Sequence, residues 1–136
     1  MDACALIYRF EGGAEFRQAT TALLAQLTAG QAVVDVAVSR LSVLECCVKP
    51  LREGNAALLQ RYTDLFAVLD IIELDAAVVD AATSIRARFG LKTPDALQAA
   101  SALTWQDGGD DVLFVTADTR FDGVAGLQVR RITPKA

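Results

Sequence analysis

The sequence predicts an α/β sandwich built on a mainly parallel sheet, formed by one domain over residues 1–136. Short β-branched apolar runs alternate with longer segments of helical periodicity, the pattern that lays strands side by side beneath covering helices. Hydrophobic residues make up 53% of the chain, and at this length about two-thirds of the unfolded surface can be buried. The stretch LKTPDALQAA adds a third sign, a well-marked helix start. Thr93 can cap the orphan amides, Pro94 suits the first helical position because its missing donor is not needed there, and Asp95 lies where the helix dipole favours an acid.

The remaining elements follow in order. ALIYRF before the breaker Gly12-Gly13 predicts a helical turn or two at residues 6–10. A helix over residues 14–29 comes next, with Phe16, Ala19, Leu23 and Leu27 on one face and Gly30 ending it. Residues 32–38 are β-branched and nearly continuously apolar, as a buried parallel strand should be. Ser39 can cap a helix that carries Glu45 and should stop near Pro50. In residues 54–69, Leu58, Leu59, Tyr62, Leu65, Phe66 and Leu69 form a helical stripe that reads as core, and a short strand at 71–74 follows. Asp75 caps a helix through Phe89, with Val78, Val79, Ala82, Ile85 and Phe89 inward and Gly90 as its stop. The helix opened at Thr93 runs to about residue 105, and a Gly108-Gly109 turn leads to a strand at 112–115. An irregular turn around Phe121, Asp122 and Gly123 and a last strand at 127–132 precede the Pro134 tail.

Composition excludes whole classes of chemistry. The chain has no histidine, which removes Ser-His-Asp triads, Cys-His pairs and imidazole acid-base catalysis together, so carboxylates must carry any hydrolysis. Cys4, Cys46 and Cys47 are odd in number and two are adjacent, so they read as reduced, buried side chains and not as a disulfide framework or zinc site. A net charge of -4 argues against non-specific coating of nucleic acid. No apolar run reaches the ~20 residues a membrane helix needs, and no signal peptide is evident, so a cytoplasmic location without membrane contact is expected.

Four acids sit where a parallel sheet would gather them. Asp118 follows the run VLFVT, Asp2 precedes ALIY, Glu45 lies two turns into the helix after VVDVAV, and Asp95 opens its own helix. Ligands of open parallel sheets bind beyond the carboxyl ends of the strands, so acids far apart in sequence can meet at one rim. Glu45 is some 9 Å along its helix from the cap, at ~1.5 Å per residue, and must lean back to join them.

DACALIY, SRLSVLE, TPDALQAA and FVTADTRFD, in this order, resemble the four acidic motifs of the PIN domain, particularly the VapC-like toxins of toxin-antitoxin pairs. The likeness covers nearly the whole chain. It implies a three-layer, Rossmann-like sandwich with a five-stranded, mainly parallel sheet, and a metal-dependent ribonuclease. It assigns catalytic and metal-binding roles to Asp2, Glu45, Asp95 and Asp118, with Asp122 as an additional acid. The implied cofactor is Mg²⁺ or Mn²⁺, and the implied partners are an RNA substrate, a VapB-like antitoxin and a second copy in a homodimer.

This sequence departs from the family pattern twice. Ala3 and Cys4 follow Asp2 where the family has a hydroxyl residue near the metal, and only Met1 stands where the family's central first strand should end. A strand needs about five residues. Either upstream residues precede Met1 or the first strand is truncated, and the former is expected because loss of a central strand exposes two ladders of unpaired backbone groups.

The chemistry explains why such a cluster would want a cation. Two carboxylates ~4 Å apart repel by about 4 kcal/mol at an effective dielectric of 20. Hard divalent ions take oxygen ligands and keep waters, one of which can attack an RNA phosphodiester in line. By the same resemblance the products carry 5′-phosphate and 3′-hydroxyl ends. Arg120, Lys92 and Arg40 are the basic candidates for binding substrate, with Lys49, Arg52, Arg86 and Arg88 also near the motifs. Trp105 and Tyr8 are single aromatics and read as packing. Two rival readings stand beside the nuclease: a catalytically impaired PIN-like scaffold, and a receiver-like phosphotransfer domain. The latter wants a strand-end lysine, which Lys49, Lys92 and Lys135 do not supply.

Overall fold

The computed structural model describes residues 1–29, 35–107 and 111–132. Gly30, Gly108, Gly109 and Pro134, expected as stops and turns, lie outside the described residues, as do the side chains of Cys4 and Tyr8. The chain opens with helices α1 (Ala3–Glu11) and α2 (Ala14–Thr28). Strand β1 (Ala37–Ser39) leads into α3 (Arg40–Glu53) and α4 (Ala56–Val68), and β2 (Asp70–Ile72) into α5 (Ala76–Phe89) and α6 (Thr93–Gln106). Strand β3 (Phe114–Thr116), a 3-10 turn (Thr119–Phe121) and β4 (Val129–Arg131) close the fold.

The helix boundaries follow from their caps. Ser39 Oγ accepts the Leu41 amide, Asn55 the Leu58 amide, and Asp75 the Val78 amide, each satisfying a donor that the first turn leaves open. Gly90 stops α5 in the left-handed region at φ 70°, as expected. Pro50 does not stop α3. It forfeits one backbone bond inside the helix, and the stop comes at Gly54, whose φ of 66° lets its amide return to the Leu51 and Pro50 carbonyls. Thr93 is not the cap of α6 either: Lys92 holds that position without a side-chain bond, and Thr93 Oγ1 accepts from the Arg86 guanidinium at 2.8 Å, tying the end of α5 to the start of α6. On α5, Val78, Ala82 and Ile85 fill the inward stripe. Val79, one position off it, is 47% exposed, and Phe89 in the last turn is 38% exposed.

Both strand pairs are parallel, β1 with β2 and β3 with β4. The described residues therefore hold two two-stranded sheets and not the expected five-stranded one. Between them lie the first two residues. The Met1 amine donates to the Ala37 carbonyl of β1 at 2.7 Å, and the Asp2 amide to the Val115 carbonyl of β3 at 2.9 Å. These bonds place the first two residues beside both pairs, which in the described residues are two separate sheets.

Three apolar clusters fill the layers between helices and strands. The first joins α5 and α6 to Phe114 and Phe121, the second joins α1, Val38, Cys46 and Tyr62, and the third sets Ala5 against Val115 and Ile132. Helix α6 is the centre of the first cluster. Its Ala96, Ala99, Ala100 and Ala102 are buried, and their small side chains let neighbouring backbones approach closely while Asp95 stays at the helix mouth.

Candidate active site

Asp2 stands just before α1 and is 7% exposed, a costly place for a carboxylate without donors. Thr116, at the end of β3, supplies one: its buried Oγ1 donates to Asp2 Oδ2 at 2.8 Å and accepts the Asp118 amide at 3.1 Å. One hydroxyl thus links the acid before α1 to the acid after β3.

Glu45, midway along α3, does lean back. Gln98 lies on α6 one turn past Asp95, is buried, and donates from Nε2 to Ser42 Oγ at 2.9 Å and to Glu45 Oε1 at 3.4 Å. A turn further on, Ser101 Oγ donates to Ser39 Oγ at 3.0 Å. This polar seam holds α3 against α6 and turns Glu45 toward Asp95.

Asp118 caps the 3-10 turn, where its Oδ1 accepts the Arg120 amide at 2.9 Å. Phe121 anchors that turn: it is fully buried and packs edge-on against Phe114 with ring centroids 4.8 Å apart. Arg120, held between these two residues, points its guanidinium into the acids. Nη1 lies 2.9 Å from Asp95 Oδ2 and Nε 2.7 Å from Asp118 Oδ2, with Nη2 on the same Asp118 oxygen.

The acids feel one another. Burial pushes the Glu45 carboxyl above its ordinary value, the Gln98 amide opposes this, and the charges of Asp2 and Asp95 add to the rise. Burial likewise raises Asp95, against the pull of Arg120, while Asp118 and Asp2 push it further up and Lys92 opposes. Asp118 is lowered, chiefly by its hydrogen bond from the Arg120 side chain. Asp2, Glu45, Asp95 and Asp118 therefore share one electrostatic field. Asp122 stands apart from it, exposed and 3.7 Å from Arg131.

Every candidate ligand is a carboxylate oxygen, the donor a hard divalent cation prefers, and repelling acids give such an ion a reason to bind. The donor chemistry fits. Among the described residues, however, no three acids converge as ligands around one point, and Arg120 holds Oδ2 of both Asp95 and Asp118.

A family model of the PIN domain matches residues 1–127. The chain belongs to the PIN domain family. Comparison with curated proteins finds no match. Among solved structures, a chain of a toxin-antitoxin complex from Klebsiella pneumoniae superposes with a TM-score of 0.73 at 22% identity, covering 98% of this chain and 97% of that one. A chain of VapBC2 from Rickettsia felis, bound to a promoter DNA fragment, gives 0.71 at 16% identity over 95% and 94%. One from DNA-bound VapBC of Salmonella typhimurium gives 0.64 at 13% over 97% and 96%. At these identities the likeness is one of fold.

In this PIN domain Asp2 accepts a hydroxyl from Thr116, which reaches it from β3. Sequence reasoning did not single out Thr116, Gln98 or Ser42. The signal for Thr116 was a polar residue ending an apolar run, and for Gln98 a lone amide on an alanine face. Of the basic candidates, Arg40 forks onto Glu73 at the surface, Lys92 is exposed at the mouth of α6, and Lys49 pairs with Glu11 at 3.3 Å. Cys46 is buried and Cys47 half-buried, and both are free thiols. No helix among the described residues is long and apolar enough to cross a membrane.

Proposed function

We propose that this PIN domain is a metal-dependent ribonuclease and the toxin of a toxin-antitoxin pair. The observation that carries the reading is the shared electrostatic field of Asp2, Glu45, Asp95 and Asp118, drawn from four separate parts of the chain. Family membership supports nuclease activity, and the fold shared with chains of toxin-antitoxin complexes supports a VapB-like antitoxin as partner.

Asp2, Asp95 and Asp118 would hold Mg²⁺ or Mn²⁺, with Glu45 contributing directly or through water. The chemistry such an ion supplies is an activated water and charge neutralisation at the departing oxygen. The chain's own residues do the positioning: Thr116 orients Asp2, Gln98 turns Glu45 inward, and the Phe121 anchor fixes Asp118. Lys92, and Arg120 when its guanidinium is not on the acids, lie at the rim where an RNA phosphate must approach. The molecule acts in the cytoplasm as a homodimer in this reading. Asp122, paired with Arg131, is an accessory acid outside the ligand set.

Cleavage of an RNA panel with Mg²⁺ or Mn²⁺ tests the proposal. Products with 5′-phosphate and 3′-hydroxyl ends, lost on chelation and in D95N, are expected. Cyclic 2′,3′-phosphate ends would contradict it. The scaffold reading draws on Arg120 pairing with two of the acids; divalent-ion binding without cleavage of any RNA would favour it.

A further inference from the structure

We propose that Arg120 is an internal counter-cation of the acidic site, which a divalent ion must displace in order to bind. This rests on the metal-binding reading above and adds to it a residue that sets the ion's affinity.

The geometry is that of a competitor. One planar guanidinium spans two acids from different elements, Asp95 at the mouth of α6 and Asp118 after β3. It takes the Oδ2 atom of each. In this arrangement no three acids among the described residues converge as ligands, so the acids as well as the guanidinium must shift for an ion to bind. The guanidinium also lies outermost. The Arg120 side chain is 56% exposed, against 16% for Asp95 and 22% for Asp118, so it covers them from the solvent side and can leave without moving the core.

Its departure would not release Asp118. That acid keeps the Arg120 backbone amide on Oδ1, and its own amide donates to Thr116 Oγ1, bonds that do not depend on where the Arg120 side chain points. Asp95 is fixed by its helix. The site is thus poised for exchange: a single charge spread over a fork would give way to two charges on one small ion, and the surface position keeps the guanidinium's hold modest.

Mn²⁺ binding measured by electron paramagnetic resonance tests this on the wild type, R120Q and R61Q. Arg61 of α4 stacks over Phe10 of α1, so R61Q removes the same charge from a part of the chain outside the acidic site. R120Q should bind Mn²⁺ roughly three- to fivefold more tightly than wild type, the size of losing an exposed ion pair, with R61Q unchanged. In the wild type, Mg²⁺ should shift the Arg120 Nε–H resonance. Equal or weaker Mn²⁺ affinity in R120Q would overturn the exchange while leaving the metal-binding reading intact. Absence of Mn²⁺ binding by every variant, at unchanged circular dichroism, would sink that reading and the exchange with it.

Discussion

Thr116 Oγ1 and Asp2 Oδ2 lie 2.8 Å apart across almost the full length of the chain, joining the end of β3 to the residue before α1. Both are buried, so the bond works in a poorly screened setting. Thr116→Val keeps the side chain's shape and removes the hydroxyl. Denaturant unfolding should show a loss of about 1.5–3 kcal/mol, the range for hydrogen bonds to charged groups, and T116S should recover most of it. A loss under about 0.5 kcal/mol would mean the hydroxyl does not hold Asp2.

Gln98 is expected to set the pH range over which Glu45 can act. Its amide pulls the Glu45 carboxyl down against burial and the charges of Asp2 and Asp95. In Q98L that pull is gone, so the Glu45 carboxyl rises further and the acid limb of divalent-ion binding moves to higher pH. An unmoved limb would show that the 3.4 Å contact carries no weight.

Stability should report the same carboxyl in the metal-free protein. Glu45 holds its proton to higher pH when folded than when unfolded. Between those two values the folded state binds more protons, so wild-type stability falls as pH rises through the window, while E45Q has no such group. The stability of E45Q relative to wild type should therefore grow with rising pH across that window. Asp118 runs the other way: its contribution is full above the unfolded value and is lost as pH falls through the lowered folded one. D118N should accordingly lose ground to wild type as pH rises through the acidic range.

Away from the site, Tyr62 fastens α4 to α1. Its ring is fully buried against Phe10 and Phe66, and its hydroxyl donates to Glu11 Oε2 at 2.6 Å. Y62F keeps the ring and loses the donor, and should cost about 1–2 kcal/mol in thermal or denaturant unfolding, while Y62A should cost about 3–5 kcal/mol through the cavity it leaves. Similar losses for the two variants would show that packing does not dominate there.

Helix starts and stops were legible because they rest on local chemistry. Ser39, Asp75 and Gly90 act where the sequence puts them. Pro50 misled because a helix tolerates one missing donor when a left-handed glycine waits a turn later, and Thr93 misled because a partner from α5, Arg86, claimed its hydroxyl. The five-stranded sheet was an inference from kinship, and no local signal in the chain says how many short runs will pair; the described strands pair by twos. At the site, the chain put forward four acids as candidates, but not the groups that contact them. Thr116 meets Asp2, and Gln98 meets Glu45, only after folding, and no local period announces such partners.

In the proposed function Asp2, Asp95 and Asp118 gather around one divalent ion. Diffraction from crystals grown with Mn²⁺ tests it most directly through the anomalous signal. A peak about 2.0–2.3 Å from carboxylate oxygens of these three acids, with Arg120 turned away, is the predicted result. Crystals saturated with Mn²⁺ that show no peak there, and Arg120 still seated on Asp95 and Asp118, would contradict it.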